Sequence, residues 1–225
     1  MWQGSWWQGP VADAPGEVVP VDCVEQFHGG IWDVRSDTID FADQRVVRDL
    51  VVHPGAVGVL VLDEDDRLLL IRQYRHPVGM YLFEPPAGLL DKIDEDPLAA
   101  AQRELAEEAG FTADHWWVLV DFANTPGGSS ESFRCFLARG LHPLADGRVF
   151  TGEAEEADLP RVWITLDDAR DAVLRGELGN PTTVIAVLAA WCARAGGWAS
   201  LRGANSPWPM RDHLVASGRV RALGD

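Results

Sequence analysis

The stretch PPAGLLDKIDEDPLAAAQRELAEEAGF, residues 85–111, places acid residues on both sides of a short run of Ala and Leu. Its helix signals are in order: Asp96 suits the N-cap, Pro97 the first helical position and Gly110 the C-terminal cap. They predict a helix from Pro97 to about Ala109. Positions three and four apart share one side of a helix, so Leu98, Ala101, Leu105 and Ala109 make a narrow apolar stripe that can approach a sheet closely. Glu104, Glu107 and Glu108 fall on the neighbouring arc, about 100° wide at the helical period of roughly 3.6 residues.

A solvated acidic face is the ordinary explanation of such a cluster, and two features oppose it here. Glutamates at the C-terminal end of a helix oppose its macrodipole, and adjacent like charges repel, so the arrangement costs stability unless a cation sits among them. Arg103 stands at the i, i+4 spacing from Glu107 and can fix one carboxylate while the others stay available. Oxygen ligands in this pattern suit a hard divalent ion, Mg²⁺ or Mn²⁺. A calcium loop does not explain Asp91, Asp94 and Asp96. The sixth loop position lacks glycine, and Gln102 stands at the twelfth, where a bidentate Glu is required.

Strands on both sides of this helix indicate an α/β fold. Segments 24–27, 31–41 and 44–53 read as a small antiparallel sheet, and AVGVLVLDEDDRLLLIRQYR (56–75) as two apolar strands joined by the turn Asp63 to Asp66. A further strand ends in YLFEPPAG, and others are expected at 116–122, 132–138 and 161–165. Helices follow at about 167–175 and 181–195, the second opened by Asn180 and Pro181, with a short one near 210–217. This divides the chain into residues 1–54, a tail and small β subdomain; 55–195, the main domain; and 196–225, a C-terminal tail.

The net charge of −16, with Lys92 the only lysine, argues against nucleic acid, whose phosphates are held by clustered Lys and Arg. No apolar run approaches the roughly 20 residues of a membrane helix, and the N-terminus lacks the basic start and apolar run of a secretory signal, so a cytoplasmic location is expected. Cys23, Cys135 and Cys192 show no CxxC spacing and read as reduced core or near-core thiols.

Gly88, Glu95, REL (103–105) and AEEAGF (106–111) together resemble the Nudix box, G-x5-E-x7-R-E-U-x-E-E-x-G-U, where U is apolar. One spacing departs: Glu95 lies one residue too far from Gly88, and Asp94 holds the position counted from it. The resemblance implies a Nudix α/β/α sandwich with a mixed sheet, preceded by a small N-terminal antiparallel β subdomain. It also implies that Glu104 and Glu108 bind divalent metal, with Glu107 near or in the same shell, the Ala87 carbonyl a further ligand and Arg103 orienting the glutamates. QYRHP (73–77), FEPPAGLLD (83–91), TPGGSSES (125–132), EEAD (155–158) and LRGELGNPTTV (174–184) are similar, in this order, to the ADP-ribose pyrophosphatase branch.

Attack by water on a diphosphate phosphorus needs a general base besides the metal site. That branch places a glutamate in the loop GEAEEADLP (152–160), which makes Glu155 the first candidate, Glu156 the second and Glu153 the third. Arg75 is the leading phosphate contact, since its guanidinium offers two donors; a surface ion pair is the alternative. Arg48 sits where the branch contacts adenosine, and Glu131, after the turn Gly127-Gly128, is a candidate for the terminal ribose or a partner arginine. Phe27, Trp32 and Phe41 offer rings for a base, with core packing the expected role of each.

The resemblance implies hydrolysis of ADP-ribose to AMP and ribose 5-phosphate by a homodimer using Mg²⁺ or Mn²⁺. A nucleotide sugar, a dinucleotide or a flavin nucleotide is the alternative substrate. A non-catalytic ligand sensor is a further alternative, opposed by the intact Arg103, Glu104, Glu107 and Glu108 set.

Overall fold

Every residue of Ala56–Val61 is buried, although a strand with one wet face would alternate apolar and polar residues. The reason is a layer on each side. The computed structural model describes residues 6–41, 43–92, 95–145, 147 and 159–221. Its central sheet has the order β11-β8-β9-β4-β7, built from β4 (Ala56–Val61), β7 (Ala87–Leu89), β8 (Phe111–Ala123), β9 (Ser132–Pro143) and β11 (Arg202–Gly203). The sheet is mixed: β4 runs parallel to β9 and the other pairs are antiparallel. A second, antiparallel sheet orders β10 (Arg161–Thr165), β5 (Arg67–Arg75) and β6 (Met80–Glu84) as β10-β5-β6.

Alternation along β4 and β5 sorts the core into two faces. Val57, Val59, Val61 and Leu69 pack with Ala100, Ala101 and Leu105 of the acidic helix, while Leu60, Leu62, Leu68 and Leu70 meet Leu166, Ala169, Ala186 and Ala190. The latter four come from α2 (Leu166–Leu174) and α3 (Pro181–Ala195). α2 is capped by the Thr165 side chain and α3 by that of Asn180.

A third sheet, β1-β2-β3, pairs Pro20–His28, Asp33–Phe41 and Gln44–Val52. Its first strand is almost wholly exposed. Val51 ties the sheet to the glycine turn, donating its N–H to the Gly128 carbonyl at 2.9 Å and accepting from Ser130 at 3.0 Å. The segment expected as a C-terminal tail docks on both parts. Arg202–Gly203 extends the central sheet beside β8, α4 (Pro209–Ala216) follows, and Trp208 is only 4% exposed. Arg134 holds the segment: it forks onto Asp121, donates to the Ser206 and Pro207 carbonyls at 2.8 and 3.0 Å, and stacks on Trp208.

Three expectations are corrected. The acidic helix is α-helical over Pro97–Glu104 (α1) and finishes in a π-helical turn, Leu105–Ala109, closed by Gly110 at φ 76°. β8 and β9 run well past their predicted ends because they pair from Phe111↔Pro143 to Ala123↔Ser132, which carries polar Asp114, His115 and His142 into strand. Of the three free thiols only Cys135 is buried; Cys23 and Cys192 are exposed. No helix of the described residues is long and apolar enough to cross a membrane.

Candidate active site

The acidic helix packs against β7, the strand before it. Asp96 caps α1, accepting from the Leu98 and Ala99 N–H groups at 2.9 and 3.3 Å. Val59 of β4 donates to the Pro86 carbonyl at 2.8 Å, and the next residue, Ala87, donates its N–H to Glu108 Oε2 at 2.8 Å. At Gly88 the approach is closer still: a Cβ there would overlap the Glu104 carboxylate and lie 2.8 Å from its Cγ. Only glycine leaves that carboxylate against β7.

Glu104 and Glu108 are buried, 7% and 4% exposed, and buried carboxylates require partners. Arg103 supplies several contacts at once. Its Nε and Nη2 grip Glu95 at 2.9 and 3.0 Å, while Nη1 donates to Glu104 Oε1 at 2.6 Å and to Glu107 Oε2 at 3.0 Å. The Arg103 hydrogen bond holds the Glu95 carboxyl below its ordinary range, against a smaller opposing effect of burial. The same partners push the Arg103 guanidinium up, so it stays charged. Of the two candidates for the early acidic position Glu95 reaches Arg103, and Asp94 lies outside the described residues.

The carboxylates of Glu104, Glu107 and Glu108 do not close into one tight triad. Among the described residues the one group of three ligand atoms all within 4.8 Å of each other is Glu25, His28 and Asp33, on the N-terminal sheet. The donor set on the acidic helix nevertheless fits a divalent cation, since hard oxygen donors from two buried glutamates lie beside a glycine that leaves them room.

Two cavities share one side chain, and the smaller reaches Ala87 and Gly88, the segment that touches the glutamates. The smaller, about 300 Å³, is lined by Ala87, Gly88, Arg75, Glu84, His53 and Glu131. The larger, about 670 Å³, is lined by Arg48, Gly127, Gly128, Glu131, Met210 and Arg219, among others. Glu131 therefore stands between them, accepting from Asn124 Nδ2 at 3.0 Å. Arg75 forks onto Glu84, with Nη2 to Oε2 at 2.7 Å, so the predicted phosphate contact carries a carboxylate partner. Arg48 is exposed and donates to the Val47 carbonyl.

Sequence reasoning placed Ala87, Glu104, Glu107, Glu108 and Arg103 on one patch, and the structure brings them together with Glu95. Glu155 and Glu156, with Glu153, lie outside the described residues. The aromatic expectation is corrected: Phe27, Trp32 and Phe41 are 59%, 41% and 57% exposed, so none is a core residue. Trp32 lines the smaller cavity and stacks on His53, ring centroids 5.7 Å apart. Four cavity-lining residues were missed: Glu84, His53, and the C-terminal Met210 and Arg219. Glu84 beside Pro85 was the one legible signal; the others depend on long-range docking.

The NUDIX domain model matches residues 52–184. The ADP-ribose pyrophosphatase of Mycobacterium tuberculosis (strain ATCC 25618 / H37Rv) is 38% identical over 198 residues, 87% of this chain and 94% of that one. The methanol dehydrogenase activator of Bacillus methanolicus is 32% identical over 162 residues, 72% of this chain and 85% of that one. A crystal structure of an ADP compounds hydrolase shares the fold, with TM-score 0.69 at 23% identity, covering 83% of this chain and 98% of that chain.

Proposed function

Since the chain belongs to the Nudix family, we propose that it is a divalent-metal-dependent hydrolase that splits the diphosphate of ADP-ribose into AMP and ribose 5-phosphate. The observation that carries this is the buried Glu104 and Glu108 pair beside Gly88, which lines a cavity that shares Glu131 with a larger one. The similarity to an ADP-ribose pyrophosphatase over most of both chains supports the substrate.

Glu104 and Glu108 would hold the cation, with Glu107 near it and the Ala87 carbonyl as a further donor. Mg²⁺ is the expected ion and Mn²⁺ a substitute, and the bound ion would neutralise phosphate charge and acidify water. Arg103 keeps the carboxylates aimed by holding Glu95, Glu104 and Glu107. Arg75, at the mouth of the smaller cavity, is assigned to a phosphate oxygen, with Glu84 keeping its fork oriented. Arg48 is assigned to the nucleoside end and Glu131 to a ribose hydroxyl between the cavities. Glu155 is assigned as the general base, with Glu156 the alternative. A homodimer formed through the N-terminal sheet would cover the exposed Val24, Phe27 and Val47, and light scattering would measure its mass.

The test is turnover of a panel of ADP-ribose, nucleotide sugars, dinucleotides and flavin nucleotides with Mg²⁺ and Mn²⁺. ADP-ribose is expected among the best substrates, and a clear preference for another would replace it. Glu104→Gln and Glu108→Gln should each abolish metal-dependent turnover in a folded protein; full activity in both would remove the metal assignment.

A further inference from the structure

His53 lies 6% exposed at the end of β3, and its ring lines the smaller cavity together with Glu131, Ala87 and Gly88. Three contacts fix it. Its backbone N–H donates to Ser130 Oγ at 3.0 Å, its ring stacks on Trp32 with the planes 18° apart, and its Nδ1 accepts the Gly55 N–H at 3.0 Å. The last contact decides the tautomer. A nitrogen that accepts a hydrogen bond carries no proton, so in the neutral ring the proton sits on Nε2. Burial pushes the imidazole below its ordinary pKa, against a smaller pull from Glu131, which favours the neutral ring near pH 7. No protein acceptor for Nε2–H is found among the described residues, and the ring faces a cavity.

We propose that His53 is a substrate-binding residue whose Nε2–H donates a hydrogen bond to an oxygen of the ribose phosphate end of the substrate. This rests on the functional reading above, because it requires a phosphorylated sugar to enter the cavity beside Gly88. Gly55, at φ 87°, presents the N–H that sets the tautomer from a backbone conformation that favours glycine.

The two amide replacements separate binding from scaffolding. Asparagine puts an amide oxygen near the Nδ1 position and can still receive the Gly55 N–H. Glutamine carries an amide nitrogen out near Nε2 and keeps the donor. With ADP-ribose, His53→Asn should raise KM about tenfold, the loss of one neutral hydrogen bond, with kcat within about twofold. His53→Gln should keep KM within about threefold of wild type while melting at a lower temperature. Unchanged KM in both variants, or equal increases in both, would overturn the inference and leave His53 a scaffold residue. A proton found on Nδ1 by ¹⁵N-resolved NMR of the imidazoles would overturn it as well. Wild-type protein inactive on the whole panel would instead overturn the functional reading, and this inference with it.

Discussion

Replacing Gly88 by alanine should cost far more activity than stability. The backbone at Gly88 is ordinary strand, so alanine meets no conformational penalty there. The obstacle is the Glu104 side chain, whose carboxylate occupies the space the new methyl needs and whose Cγ would lie 2.8 Å from it. An ordinary carbon contact is roughly 3.5–4 Å, so the carboxylate has to retreat by more than about an ångström. The far end of a flexible glutamate can do that, which holds the destabilisation to roughly 1–3 kcal/mol, the usual range for overpacking. A catalytic group misplaced by about 1 Å loses on the order of 100-fold in rate. The expected result is therefore kcat/KM down about 100-fold, weaker Mg²⁺ activation and a cooperative melt. Steady-state kinetics across a Mg²⁺ titration, with calorimetry on the same samples, measures both. If kcat/KM stayed within about threefold of wild type with an unchanged Mg²⁺ dependence, the reasoning about Gly88 and Glu104 would be wrong.

Glu95→Gln keeps the size of the side chain but removes the charge that Arg103 grips with two nitrogens. Activity or Mg²⁺ affinity should fall roughly 10- to 100-fold, the usual cost of losing an outer partner of a metal site, and an unchanged Mg²⁺ titration would contradict it. Arg134→Met leaves Asp121 with Arg202 as its remaining charged partner and strips the Ser206 and Pro207 carbonyls of a donor. Removing one member of a buried ion pair costs about 3–5 kcal/mol, so urea unfolding should show a loss of that order, and a loss under about 1 kcal/mol would refute the clamp. The His53 pKa in the folded protein lies below the ordinary 6.5, so between the two values the unfolded chain binds more protons and stability rises with pH. The His53 contribution is thus complete above pH 6.5 and is lost as pH falls through that window. Melting temperatures from about pH 7.5 to 5 should fall more steeply for wild type than for His53→Gln, and parallel curves would refute this.

The parts of the fold legible in the sequence are those set by local chemistry. Asp96, Pro97 and Gly110 mark the acidic helix because caps act on neighbouring backbone groups, and the same holds for Asn180 and Pro181 at α3. The length of β8 was not legible. Asp114 and His115 lack the apolar alternation of a strand, and cross-strand pairing with β9 holds them in place. The π-helical turn was equally silent, because Leu105–Ala109 is good α-helical sequence. At the site, spacing revealed the glutamates and Arg103, since they share one helix. His53, Glu131 and Met210 come from three distant segments, and only the docked fold makes them neighbours of the cavities.

The docked C-terminal segment also bears on synthesis. Arg35 donates to the Gly218 carbonyl, 183 residues away, and Arg221 donates to the Gly29 carbonyl across 192. On the ribosome the first sheet emerges long before these partners. At roughly 5–20 residues per second, a separation of 192 residues is a wait on the order of 10–40 s. Through that interval β1–β3 lacks these two C-terminal anchors, while the edge of β1 and the rings of Phe27 and Phe41 are open to solvent as they are in the finished fold. A nascent chain stalled before residue 200 would thus present that sheet without its C-terminal anchors, which makes the stretch of translation before the last tenth the vulnerable one.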